Sequence, residues 1–310
     1  RALRERRIGH TGTLDPFATG VLPLVVGRAT RLARFLSGRE KTYDAVLRLG
    51  LVTDTYDVTG VVVSGSRVAA PDAALPGQAS IEAALAGFLG PQWQAPPAFS
   101  AKKVAGVRSH ALARRRRQPH GDALGETAAH LEGDAVSRAE PLAPAAVTVH
   151  ALSLSGFDGE RVSLRLVVSA GFYVRSLAHD LGARLGCGAH LVALRRTASG
   201  DFGERDAVPL DVVEREGDAA AARLVPLERL LPGCPAVRLT EAGLVRVSHG
   251  NSVDRSHCTH DGRPEHSAGT WPAVRLLAPD GRLVALTAAE AAGGSTAEGR
   301  WPLHPAIVLT

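Results

Sequence analysis

Asp15 is the first residue whose setting suggests chemistry. It stands within Gly9-His10-Thr11-Gly12-Thr13-Leu14-Asp15-Pro16-Phe17-Ala18-Thr19-Gly20, a stretch built to bend and to expose backbone. Gly9, Gly12 and Gly20 permit close approach or positive φ, and Pro16 fixes the turn after the acid. The hydroxyls of Thr11, Thr13 and Thr19 are available to pair loop backbone groups. Val21 to Val26 follows as an apolar run of strand length. An acid on a rigid loop braced by a strand suits catalysis, and an Asx-type turn cap suits the same residues, so both readings stand here. Other reactive-looking patterns are weaker. Ser100-Ala101-Lys102-Lys103 matches Ser-x-x-Lys by form alone, because the accompanying Ser-Asp-Asn and Lys-Thr-Gly elements are absent. His257, Cys258, His260 and His266 follow no established metal spacing and read as a polar loop. There is no P-loop, dinucleotide glycine fingerprint, His-Glu-x-x-His motif or internal repeat.

The elements that must position these residues follow from periodicity. Ala29, Leu32, Ala33 and Leu36 share a helical face, closed by Gly38. Lys41 to Gly50 alternates as a strand, with Tyr43, Ala45, Leu47 and Leu49 on one largely apolar face. Asp54 to Gly60 is polar and turn-like, and Val61 to Val63 resumes a strand. Ser80 is expected to cap a helix carrying Ile81, Ala84, Leu85 and Phe88. A strand over about Arg161–Ser169 leads through Ala170-Gly171 into a helix whose Val174, Leu177, Leu181 and Leu185 share a face. Arg175 falls at that strand-to-helix junction, and periodicity alone puts it on the solvated side. From about Pro235 a small module follows, with a strand at Val237–Thr240, a Thr240-capped helix and a hairpin of Val274–Leu277 with Leu283–Leu286.

Composition bounds the class. With 310 residues and 45% hydrophobic content, the chain supports a substantial core in one large body or two unequal domains. A net charge of +5 and a pI of about 9.5 point toward a polyanionic partner. Lys41, Lys102 and Lys103 are the only lysines, so arginine carries nearly all positive charge and offers planar forks to phosphates and bases. Three cysteines without paired spacing argue against a disulfide framework. No signal peptide or long apolar span is evident, so a cytoplasmic protein without a membrane anchor is expected. Arg114–Arg117 opens a polar stretch to about Arg138 that reads as an exposed insertion.

Six blocks in order carry a resemblance: GHTGTLDPFATGVLP (Gly9–Pro23), KTYDAVLRLG (Lys41–Gly50), TDTYDVTG (Thr53–Gly60), QAPPAFSAKK (Gln94–Lys103), SAGFYVRSLAHDLG (Ser169–Gly182) and CGAHLVALRRTASGDF (Cys187–Phe202). On these residues the chain resembles the TruB family, the bacterial tRNA pseudouridine-55 synthases. The resemblance implies an α+β pseudouridine synthase fold with a mixed, mainly antiparallel sheet, plus a small C-terminal PUA-like β-rich domain. The catalytic domain is expected over 1–232 and the PUA-like RNA-binding domain over 236–310. The implied activity is isomerisation of the T-loop uridine of tRNA by base flipping, with no cofactor or metal. Asp15 matches the catalytic aspartate, which attacks either ribose C1′ or base C6. Arg175 matches its paired arginine, and Tyr43 matches the tyrosine that stacks on uracil and helps proton removal from C5. Tyr173 and Leu194 match pocket-lining residues, and His10 matches the histidine that fills the gap left by everted nucleotides. The partner implied is the tRNA T-arm, met by a monomer with no obligatory protein partner and no membrane.

Departures from the family pattern are also visible. The segment that precedes Gly9 in the family, with its Lys-Pro motif and first strand, is expected to be missing from a chain that starts at Arg1 and has no methionine. Ser256–Ala268 reads as a second insertion. Phe99 stands where tyrosine is frequent, and Ala170-Gly171-Phe172 where a Lys-Gly-Thr-like sequence is frequent. The competing functional class is a non-catalytic tRNA-binding or folding protein on the same scaffold. A relative that modifies another RNA with guide or accessory proteins is a third reading. Intact Asp15, Tyr43 and Arg175 favour the enzyme.

Overall fold

The structure is a computed structural model and describes residues 2–63, 74–97, 99, 103–104, 107–108, 143–259, 273–287 and 301–309. The Arg114–Arg138 stretch, His260 and His266, and most of the Ser256–Ala268 insertion lie outside the described residues. The chain organises into two compact units. One comprises Thr13–Leu22 and Arg39–Glu204; the other comprises Arg1–Gly12, Pro23–Gly38 and Arg205–Thr310.

The first unit is built on a seven-stranded sheet. Its strands run Phe202–Gly203, Ala189–Ser199, Lys41–Leu49, Arg161–Val168, Ala145–Phe157 and Gly90–Gln94, all antiparallel. Thr19–Gly20 adds a short parallel strand against Arg195–Arg196, which makes the sheet mixed. Strict alternation is what permits this arrangement. On Arg161–Val168 every second residue, Val162, Leu164, Leu166 and Val168, is buried while its neighbours are not. The same holds for Tyr43, Ala45, Leu47 and Leu49, and the buried face also takes in Lys41. Two helices contribute to the core of this sheet: Gln78–Ala86 through Ile81 and Leu85, and Val174–Arg184 through Val174, Leu177, Ala178 and Leu181. Burial of each of these large aliphatic side chains contributes about 1.5–3 kcal/mol.

Three local expectations are corrected. The helix expected to be capped by Ser80 begins at Gln78 with Gly77 at its N-cap, and Ser80 lies inside its first turn. Extended Gly77 lends its carbonyl to the N–H groups of both Ser80 and Ile81, which does the work of starting the turn. Ala29–Leu36 is a 3-10 turn over Gly27–Leu32 that passes into a five-residue α-helix, Ala33–Ser37. The Thr30 hydroxyl donates back to the Gly27 carbonyl at 2.7 Å, a local bond that suits the tighter winding. The apolar run Val21–Val26 is not one strand. Only Leu24–Val26 is a strand, pairing with Ile8–His10, whereas Val21 bonds to the Arg196 carbonyl. Pro23 lacks the N–H that a continuous ladder would need there.

In the second unit a four-stranded sheet runs Ala236–Arg238, Arg275–Leu277, Leu283–Thr287 and Pro305–Val308, the first pair parallel and the others antiparallel. The expected hairpin and helix are present. Thr240 Oγ1 accepts from Gly243 N at 3.2 Å at the head of the helix Glu241–Ser248. Arg28 and Arg31 donate to the carbonyls of Leu309 and Val308, tying the Pro23–Gly38 segment to the last strand. His257 Nδ1 meets the Asp254 carboxylate in a capping box at 2.8 Å, a structural use for that histidine. No group of three or more metal-ligating side chains gathers among the described residues, and no helix there is long and apolar enough to cross a membrane.

Gly20 is a position where the fold demands glycine. Its φ is +100°, and a Cβ there would lie 2.1 Å from the Arg196 carbonyl oxygen, where the Asp15 loop rejoins the sheet. Gly20→Ala is expected to destabilise the protein by at least ~2 kcal/mol. A shift of the denaturant midpoint at constant slope measures it; an unchanged midpoint would contradict this packing.

Candidate active site

The loop that opens at Thr13 turns sharply at the acid. Ala18 N bonds to Asp15 O at 2.9 Å, closing a β-turn with Pro16 at its second position, where the ring's fixed φ belongs. The hydroxyls of this region do less than expected. Thr11 Oγ1 is buried with no hydrogen-bond partner among the described residues, and Thr19 Oγ1 accepts only a long bond from Arg195 Nη1 at 3.4 Å.

Both oxygens of the Asp15 carboxylate accept from one guanidinium. Arg175 Nη2 reaches Oδ1 at 2.8 Å and Nε reaches Oδ2 at 3.1 Å, a bidentate fork that fixes the plane of the carboxylate as well as its place. Arg175 is 5% exposed, so the surface position suggested by helical periodicity is wrong. It occupies the first turn of Val174–Arg184, where residues 174–178 are all buried. Two hydrogen bonds between Gln94 and the backbone of Tyr173 brace that turn, at 2.8 and 3.0 Å, and the Ser176 hydroxyl adds a third contact to Ala95 O. Buried Gln94 thus locks Tyr173, two residues before the arginine, to the edge strand.

A residue that sequence reasoning missed completes the arrangement. Asp57 is 3% exposed, and its Oδ2 lies 3.5 Å from Arg175 Nη1. Its other oxygen accepts from Thr55 Oγ1, Thr59 N and Thr59 Oγ1 at 2.8, 2.9 and 2.6 Å. Arg175 therefore stands between two carboxylates and also donates to the carbonyls of Thr55 and Phe99. A buried guanidinium needs its donors paired, and four acceptors supply that. Asp57 is fully committed to its own loop and to Arg175, while Asp15 remains partly open to solvent. Of the two acids, Asp15 is the one free to meet a substrate.

Tyr43 is 9% exposed on the inner face of its strand. Burial pushes its phenol above the ordinary tyrosine range; the charge and hydrogen bond of Arg196 pull the other way, and the Asp15 carboxylate adds to the rise. Lys41, two residues earlier on the same face, is lowered to about 8 by burial and by the Arg196 charge. Leu194 is buried in the core cluster that contains Tyr43, opposite Ala45 across the sheet. The structure thus brings together Asp15, Arg175 and Tyr43, with Tyr173 at the N-cap of the Arg175 helix and Leu194 on the strand paired with that of Tyr43. His10 is exposed on the strand Ile8–His10 and belongs to the other unit.

A carboxylate gripped by a buried arginine thus lies near a buried tyrosine on a mixed sheet. Known proteins carry this further. The family profile described as TruB family pseudouridylate synthase (N terminal domain) matches residues 1–123, and that of the tRNA pseudouridylate synthase B C-terminal domain matches 175–232. A protein of Solibacter usitatus named tRNA pseudouridine synthase B is 38% identical over 288 residues, covering 92% of this chain and 87% of its own. One of the same name from Opitutus terrae is 40% identical over 233 residues, covering 75% and 86%. The chain belongs to the TruB family of pseudouridylate synthases. Among solved structures, an archaeal box H/ACA sRNP Nop10-Cbf5 complex shares the fold, with a TM-score of 0.66 at 23% identity over 100% of this chain and 79% of that one.

Proposed function

We infer that this protein isomerises the T-loop uridine of tRNA, at position 55, to pseudouridine. The observation that carries the reading is the bidentate Asp15–Arg175 pair beside the buried Tyr43 phenol. Isomerisation of a nucleotide neither adds nor removes atoms, so the site must cleave the glycosidic bond, retain the free uracil, turn it and rejoin it through C5. Asp15 serves as nucleophile toward ribose C1′ or base C6, and the Arg175 fork holds its oxygens at a fixed angle for the attack. A uridine within a folded T arm must leave its stack to reach this carboxylate. Tyr43 offers the flipped uracil an aromatic face and helps remove the C5 proton, which departs as N1 gains one. Tyr173 and Leu194 line the pocket and keep water from the detached base. His10 takes the space vacated in the RNA. No step calls for a cofactor.

Residues 236–310 act in this reading as a PUA-like RNA-binding domain on the catalytic body, in a monomer working in the cytoplasm without a protein partner. Arg246 and Arg255 are exposed there and suit phosphate contact. Arg246→Ala and Arg255→Ala are each expected to weaken tRNA binding a few-fold and to reduce the salt slope by about 1, with single-turnover conversion of bound tRNA unchanged. Salt slopes equal to wild type would exclude these two from the interface.

The test of the function is direct. Full-length protein incubated with an unmodified tRNA transcript, without added cofactor, is expected to place pseudouridine at position 55, mapped by chemical modification and primer extension. A transcript that remains unmodified would refute the proposed activity. The non-catalytic reading has no observation in its favour, because a binder has no use for a buried arginine aimed at a half-open carboxylate.

A further inference from the structure

Arg196 is a large buried side chain, 1% exposed, that the chemistry above does not use. It faces Tyr43 directly across the sheet: the two are register partners between antiparallel strands, on the face that also buries Leu194. Its guanidinium hydrogen-bonds the Tyr43 phenol. Its Nε donates to Val21 O at 2.7 Å, and its own carbonyl accepts from Val21 N at 2.8 Å. Gly20, one residue earlier, lies so close to the Arg196 backbone that no side chain fits between them. One residue therefore holds both the exit of the loop that carries Asp15 and the hydroxyl of the tyrosine that meets the base.

We propose that Arg196 is a positioning residue for this reaction, fixing the Tyr43 hydroxyl relative to the Asp15 loop. The proposal rests on the reading of Tyr43 as a site residue. The phenol oxygen lies on the χ2 axis, so packing at χ1 sets its place, but the direction of its O–H bond is left to its hydrogen-bond partner. A guanidinium donor anchored at its other end on the Val21 carbonyl supplies that orientation, and a charged donor is stronger and more directional than a neutral one. It also favours the phenolate, the form in which the oxygen can accept a proton. Lys41 does not substitute for it, since its ammonium is a point charge without a planar fork and bonds to the Arg39 carbonyl.

The experiment is a double-mutant cycle on the full chain, read as single-turnover conversion at saturating tRNA and as tRNA affinity. Arg196→Met is expected to slow conversion roughly 10- to 100-fold, the range for loss of a hydrogen bond to a charged group, with affinity changed less than about threefold. In a Tyr43→Phe background the same substitution is expected to cost less than about threefold, because the atom it acts through is gone. Arg196→Lys, which keeps a charged donor, is expected to recover part of the loss. Equal losses in both backgrounds would overturn the proposal and leave Arg196 a structural brace. A Tyr43→Phe enzyme as fast as wild type would overturn the Tyr43 reading as well, so the two failures are distinguishable. If Arg196→Met does not fold, by circular dichroism, the cycle is run with Arg196→Gln, to which the same two outcomes apply.

Discussion

Asp15→Asn is expected to abolish pseudouridine formation while leaving tRNA binding within a few-fold of wild type. The substitution is nearly isosteric, so the β-turn at Pro16 and the loop's hold on the sheet survive. What is lost is the nucleophile and, with it, the ionic partner of Arg175. An amide offers one carbonyl oxygen where the carboxylate presents two to the fork, and its NH₂ faces guanidinium N–H groups of the same polarity. Loss of a sole nucleophile typically costs 10⁴-fold or more, on the order of the values seen where no other group can replace it. Single-turnover conversion of a labelled transcript, followed alongside filter binding of the same transcript, separates the two quantities. Near-normal conversion by Asp15→Asn would dismiss the carboxylate as nucleophile and reopen the turn-cap reading of this loop. Arg175 is not expected to collapse in this variant, because Asp57 and the Thr55 and Phe99 carbonyls still engage it.

The strands and helices that frame this site were legible because burial repeats along them. Period-two alternation located the Tyr43 strand and the Arg161–Val168 strand almost to the residue, and helical spacing located Val174–Arg184. Arg175 was misplaced by the same logic. A polar residue on a helix is assigned to water unless its partners are known, and these partners lie 120 and 160 residues away in sequence. Asp57 escaped for a different reason. Asp, Thr and Gly together describe a turn, and Asp57 does organise one through Thr55 and Thr59; its second oxygen is then spent on Arg175, which local pattern cannot reveal. Arg196 left a fainter trace. It alternates with Leu194, so the apolar face of its strand ends in a charge, and a charge at an inward position is a signal that some buried partner exists. The family resemblance supplied Asp15, Tyr43 and Arg175 as a set, and the structure adds the two residues that hold the set in place. The Val21–Val26 run misled because hydrophobicity does not record where a chain passes from one compact unit to the other, as this one does between Leu22 and Pro23.

Arg175→Lys and Arg175→Met are expected to fail in different ways, and the difference tests how this site is assembled. Lysine keeps a positive charge between Asp15 and Asp57 but has three donors on one atom, and cannot present two parallel N–H groups to a carboxylate. The expected outcome is a folded protein that binds tRNA normally and converts it about 10²-fold more slowly, the usual cost of a misoriented catalytic group. Methionine removes the charge altogether and leaves the Asp57 Oδ2 buried with nothing to offset it. Breaking one side of a buried ion pair costs ~3–5 kcal/mol, so this variant should show a markedly lower denaturant midpoint in addition to its loss of activity. Restoring stability without restoring activity is then possible in one step: Arg175→Met with Asp57→Asn removes the buried charge that methionine strands. The double variant should regain part of the midpoint lost in Arg175→Met yet convert no tRNA. If the second substitution gave no recovery, Asp57 would not be the counter-ion of Arg175, and the two-carboxylate cradle around the arginine would be wrong.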